Sequence, residues 1–285
     1  MLSLHTNNAA LSAQNSISKT QATLSTSMTR LSTGFRVNSA MDDAAGLQIA
    51  TRLKAQTSGM SVAMQNTQNS TSMLQTAEGA FNEVTNMLVR MKDLATQAAD
   101  ASSTTADKSA MQSEFDALGQ ELGNVLKNTT FGGSKLLVGG TIASSMTFQI
   151  GAAASETMAI NLTTDMSQIV TDVSAATANY TGAATGTEIA TGTAANGTIT
   201  KLETAIASVG KVQSSLGATA NRLDHVNSNL ANISTNTKAA TGRIMDVDFA
   251  TESSKMTSAQ MLLQAGTAML KQSNSMSSMV MSLLQ

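Results

Sequence analysis

The chain has no cysteine, no proline and no tryptophan among its 285 residues. Without cysteine there is neither a disulfide framework nor a thiolate metal site. Without proline nothing forbids long, uninterrupted helices. Aromatics are reduced to six Phe and Tyr180, so Leu, Met, Val and Ala must fill the core, and Ala, Leu and Met are strong helix formers. Charge is sparse and nearly balanced, net −2, which lends nothing to nucleic-acid binding. No run of 18 apolar residues occurs, so no membrane-spanning helix is expected. The opening residues MLSLHTNNAALSAQNS have neither a basic start nor an apolar core, so a cleaved secretory leader is not expected there.

What is present is heptad periodicity. Met60, Thr67, Leu74, Phe81, Leu88 and Ala95 stand seven apart, and Ala63, Ser70, Ala77, Val84, Met91 and Ala98 form the second row. A 3–4 spacing held over about six heptads is a coiled-coil seam, and a helix of that length, about 60 Å, cannot bury its seam against itself. The partner lies downstream. Leu202, Val209, Leu216, Leu223, Leu230, Thr237 and Ile244 form one row, with Ala205, Val212, Thr219, Val226, Ile233, Ala240 and Val247 beside it. An antiparallel pairing of the two chain halves is expected, giving a mainly α fold.

Between them, Met111, Phe115, Leu118, Leu122 and Val125 predict a shorter helix folding back on the first. Residues 146–150 and 158–162 alternate and predict a β-hairpin. Residues 163–198 are rich in Thr, Ala and Gly and read as a small exposed subdomain or a poorly packed loop. Near the termini, Leu4, Leu11, Ile17, Leu24 and Leu31 make a thin stripe ended by Gly34. Met256, Leu263, Leu270 and Leu284 make another, with Leu262, Met269, Met276 and Leu283 alongside. The two stripes either cover each other within one chain or are buried on assembly with other copies.

Little in the sequence reads as catalytic. Asp42 and Asp43 precede a helical run and suit capping and the helix dipole better than acid–base chemistry. His5 and His225 sit on separate helical regions and make no metal pair. Gly132-Gly133-Ser134-Lys135 lacks the spacing of a phosphate loop. No enzyme activity, metal or cofactor is expected.

Three segments, in order, resemble bacterial flagellins: RLSTGFRVNSAMDDAAGLQIATRL (Arg30–Leu53), AEGAFNEVTNMLVRMKDLATQAA (Ala77–Ala99) and the run from Gly242 to Gln285. The resemblance implies a self-assembling, extracellular filament subunit, exported through the flagellar type III apparatus. The short middle and the Met-rich sequence as a whole are similar to the lateral, swarming type. It implies inner-tube helices from residues 1–43 and 248–285, a rod domain from 44–162 and 199–247, and a variable middle at 163–198. Leu74, Phe81, Leu88, Leu202, Val209, Leu216, Leu223 and Leu230 would form the rod seam, and the two terminal stripes the inner tube. The implied partners are other copies of the chain, an export chaperone on the C-terminal helix, cap and hook-junction proteins, and host innate receptors. Arg90, Leu94 and Glu114 match positions contacting a receptor or a neighbouring protofilament. A hook–filament junction protein and a secreted helical effector or adhesin are the alternatives.

Overall fold

The computed structural model describes residues 7–182 and 185–283, with side chains as far as Met276. In order the elements are α1 (Asn8–Thr33), α2 (Ala44–Ala99), α3 (Thr105–Asn128), β1 (Thr130–Phe131), β2 (Ser134–Lys135), β3 (Ser145–Gln149), β4 (Thr157–Asn161), α4 (Thr163–Ala176), a 3-10 turn (Ala178–Thr181), α5 (Gly192–Met245) and α6 (Phe249–Leu283). Two compact units result. One takes the chain up to Thr57 together with Thr235 onward, and the other takes Ser58–Ser234. The division therefore falls inside α2 and α5, not at residues 43 and 248.

In the first unit, the Asn7 carboxamide oxygen caps α1 by accepting from the Ala10 N–H at 3.1 Å. Gly34 ends it with φ +75°, its N–H returning to the Arg30 carbonyl at 2.9 Å. That left-handed conformation strains any residue with a Cβ. The chain then runs beside the segment entering α6: Arg36 N–H donates to the Met245 carbonyl and Val247 N–H to the Gly34 carbonyl. The paired carboxylates divide their work. Asp43 Oδ1 accepts from the Gly46 N–H at 2.8 Å and opens α2. Asp42 Oδ2 accepts from the Ser39 and Asn38 N–H groups of the preceding turn, and these bonds, Ser39's foremost, hold its carboxyl below the usual range.

The second unit is built on the heptad seam. Of the twelve seam positions between Met60 and Ala98, all are buried except the half-buried Ser70. Its polar members turn inward on their own helix: the Thr67 hydroxyl donates to the Ala63 carbonyl and Ser70 to the Asn66 carbonyl, both at 2.8 Å. An i−4 bond of this kind lets a hydroxyl occupy an apolar seam without an orphaned donor. Gln213 bonds Asn82 at 2.9 Å and Lys92 pairs with Glu203 at 2.9 Å. The residue numbers run in opposite senses, so α2 and α5 are antiparallel here. After a turn, α3 starts at a capping box in which Thr104 and Asp107 exchange side-chain-to-backbone bonds. Phe115, Leu122 and Leu126 of α3 join the same core. The hairpin pairs Met146 with Ile160 and Phe148 with Met158. That register turns Met146, Met158 and Ile160 into the core, at 8 % exposure or less.

The middle of the chain departs from expectation. Residues 163–182 are folded: Met166, Ile169, Val173, Ala176 and Tyr180 belong to the main core. Glycines on α3 allow this. A Cβ at Gly123 would stand 2.7 Å from the Tyr180 carbonyl oxygen, and one at Gly119 2.6 Å from Thr177 Oγ1. Lys127 Nζ donates to the Tyr180 carbonyl at 2.7 Å and lies 4.4 Å from the ring centre. The following loop is held by a buried amide. Gln112 Nε2 donates to Asp116 at 2.7 Å and to Glu188 at 2.9 Å, while its carbonyl accepts from the Ile189 N–H. Residues 163–182 and 185–198 thus contribute to the body of the second unit and are not an exposed appendage.

Candidate assembly surface

In the first unit α1 and α6 lie antiparallel. Asn7 meets Ser273, a Cβ on Gly266 would touch Ile17, and Ser27 meets Glu252. Ile17, Leu24 and Leu31 on α1, and Met256, Leu263 and Leu270 on α6, are half-buried in this pairing. Leu11 is 51 % exposed. Leu4 and Leu284 lie outside the described residues, as does His5, and Leu283 is described by its backbone alone. His225 is exposed.

The apolar surface of α6 exceeds what α1 covers. Leu262, Met269 and Met276 are 62, 67 and 53 % exposed, and Met261 and Phe249 are 59 and 57 % exposed. At 100° per residue the first three fall within an arc of about 40°, roughly a third of a turn from the row of Met256, Leu263 and Leu270 that meets α1. An exposed apolar row of this length marks an interaction surface. Beside it a groove of about 510 Å³ runs between the helices, lined by Thr20, Thr23, Lys255, Ala259 and Leu262 among others.

One carboxylate locks the pair. Glu252 is buried, 4 % exposed. Its Oε1 accepts from the Ser27 hydroxyl at 2.7 Å, with Arg30 at 3.9 Å and Lys255 at 3.5 Å. The Ser27 bond, aided by the two cations against the cost of burial, lowers its pKa. The sequence signal was available, since Glu252 falls on the stripe of Met256, Ala259 and Leu263, where a lone acid requires a partner. A lowered carboxylate pKa favours the folded state fully above the unfolded value, about 4.3, and that contribution disappears as pH falls through the folded value. Glu252→Gln is therefore expected to lower the stability of the α1–α6 pair at pH 7 by about 1 kcal/mol, the difference between a charge-assisted and a neutral bond. The gap should narrow as pH falls below the unfolded value and close at an acid pH where the folded-state carboxylate is protonated as well. Hydrogen exchange of amides around Ser27, compared at the two pH values, measures it; a gap independent of pH would contradict the assignment.

In the second unit the expected seam residues Leu74, Phe81, Leu88, Leu202, Val209, Leu216, Leu223 and Leu230 are all buried, at 7 % exposure or less. Arg90 and Glu114 form a half-exposed ion pair, two guanidinium nitrogens lying 2.7 and 2.8 Å from Glu114 Oε1. Leu94 does not share their face. It is 2 % exposed and lies in the core. The expectation of an outward Leu94 came from the family resemblance; in the fold it is buried in the same core as Phe115 and Leu122 of α3. Among the described residues no group of three or more His, Cys, Asp or Glu could hold a metal ion, and no helix is long and apolar enough to cross a membrane.

Paired and seamed helices with an uncovered apolar row define a helical structural protein with an interaction surface, and comparison with known proteins supplies the family. Residues 4–141 match the bacterial flagellin N-terminal helical region and residues 199–284 the bacterial flagellin C-terminal helical region. The chain is 33 % identical to Flagellin A of Vibrio anguillarum, covering all of both chains, and 31 % identical to Polar flagellin C of Vibrio parahaemolyticus, again over all of both. It also resembles the crystal structure of Bacillus cereus flagellin, with 29 % identity and a TM-score of 0.47 over 62 % of this chain and 94 % of that one. The chain belongs to the bacterial flagellin family. It is a subunit of the extracellular flagellar filament.

Proposed function

We propose that the α1–α6 unit forms the inner wall of the filament and that the second unit is the subunit's rod domain. The exposed row Leu262, Met269 and Met276 carries this reading, because it is a continuous apolar row on α6 that pairing with α1 leaves uncovered among the described residues. Its work is mechanical and non-catalytic: packed helical seams have discrete registers and transmit torque without flowing. Before export the same row suits a chaperone that shields the C-terminal helix. Cap and hook-junction proteins are the further partners at the filament's two ends. The Arg90–Glu114 pair is offered to a neighbouring protofilament or a host innate receptor, and Leu94, being buried, takes no part.

A strain lacking this gene tests the function. Loss of swarming is expected, with the chain the abundant band on filaments sheared from wild-type cells grown on a surface. A trace band would favour the junction protein. Normal swimming and swarming in a strain making no other flagellin would overturn the filament reading.

A further inference from the structure

With no cysteine in the chain, methionine thioethers are its only sulfur groups, and there are 19 of them. The fold grades them from core to surface, and Met41, Met261 and Met28 are also open, at 96, 59 and 52 % exposure, but off the row that Leu262 begins. Met60, Met91, Met146, Met158 and Met166 are at most 5 % exposed, whereas Met269 and Met276 are 67 and 53 % exposed. These two stand seven residues apart on α6, about 20° around the helix, in line with exposed Leu262. The assembly surface is therefore built largely from the one apolar side chain that a mild oxidant makes polar.

We propose that Met269 and Met276 form an oxidation-sensitive site controlling assembly: peroxide converts them to sulfoxides in the free subunit and blocks its incorporation, while incorporation shields them. The inference rests on the reading that the α1–α6 unit packs against other copies. In the reaction the thioether sulfur attacks one oxygen of hydrogen peroxide. An S–O bond forms as the O–O bond breaks, and the departing hydroxide takes the proton from the new S–OH group and leaves as water. Sulfur loses two electrons and the peroxide gains them. The product carries a strong acceptor that an apolar interface leaves without a donor. Methionine sulfoxide reductases reverse it.

The test uses the full chain, as monomers and as preformed filaments, treated with hydrogen peroxide and then catalase. Peptide mass mapping locates the sulfoxides, and sedimentation measures polymerisation. Monomers are expected to gain oxygen at Met269 and Met276 well before the buried methionines, and their critical concentration to rise about tenfold or more, equivalent to 1.4 kcal/mol per subunit. Filaments should oxidise much more slowly at both positions. Reductase treatment should restore assembly, and Met269→Leu/Met276→Leu should assemble as well after peroxide as before.

The proposal is overturned if oxidised monomers polymerise normally, if filaments oxidise there as fast as monomers, or if the double variant is inhibited as strongly as the wild type. Should the double variant not polymerise at all, mapping and reductase rescue of the unsubstituted chain decide. Failure of the untreated chain to polymerise would overturn the assembly reading itself, and the proposal with it. Normal assembly both before and after oxidation would overturn the proposal alone.

Discussion

Replacing Leu223 and Leu230 together by Asp is expected to unfold the second unit at room temperature. Leu223 is fully buried and Leu230 is 7 % exposed, the latter packed with Met60 and Ala63. Truncating one buried Leu to Ala costs about 2–5 kcal/mol, and a carboxylate adds the desolvation of a charge with no cation to pair it. Two such sites meet or exceed the 5–15 kcal/mol by which an ordinary domain is stable. The readout is thermal melting by circular dichroism. Ile233→Asp is the internal control. It occupies the same predicted heptad rows, yet Ile233 is 38 % exposed, so its cost should stay near 1 kcal/mol or less. Unchanged melting of the double variant would mean that the α2–α5 register is wrong.

Removing residues 256–285 should give a monomer that does not polymerise. The deletion strips from α1 the partners it meets through Ile17 and Asn7, and removes the exposed row at Leu262, Met269 and Met276. An isolated helix with so thin a stripe is marginal in water, so α1 amides should exchange far faster than in the full chain. The main core of the second unit runs from Leu74 to Leu223 within residues 58–234, so its melting should be unchanged. Sedimentation and hydrogen exchange separate the two effects. Normal filaments from the truncated chain would refute the assignment of α6 as an assembly helix.

The second outcome depends on a distinction that periodicity does not make. A heptad row says that one face of a helix is apolar; it does not say how much of that face a neighbour covers. Met256 and Leu263 are half-buried against α1, while Leu262, one residue away, is exposed. Leu94 shows the converse: it lies off the seam rows that hold Met91 and Ala95, yet it is buried in the core that α3 shares. The middle of the chain was illegible for a different reason. Ala, Thr and Gly give almost no hydropathy contrast, yet their small size is what lets the turn at Thr177–Tyr180 approach Gly119 and Gly123 so closely. Polar anchors such as Gln112, which binds a loop more than seventy residues away, leave no periodic trace.

By itself the sequence determined the helical class, the α2–α5 seam, the hairpin of residues 146–150 and 158–162, and the end of α1 at Gly34. These follow from local geometry, since helix and strand periods, caps and left-handed glycines act over a few residues. The tertiary structure alone decided which faces are closed and which remain open. It buried Glu252 against Ser27, turned Leu94 inward, folded residues 163–182 onto α3, and left Met269 and Met276 exposed to solvent. Burial is a property of what packs nearby, and that is settled by distant segments meeting in space.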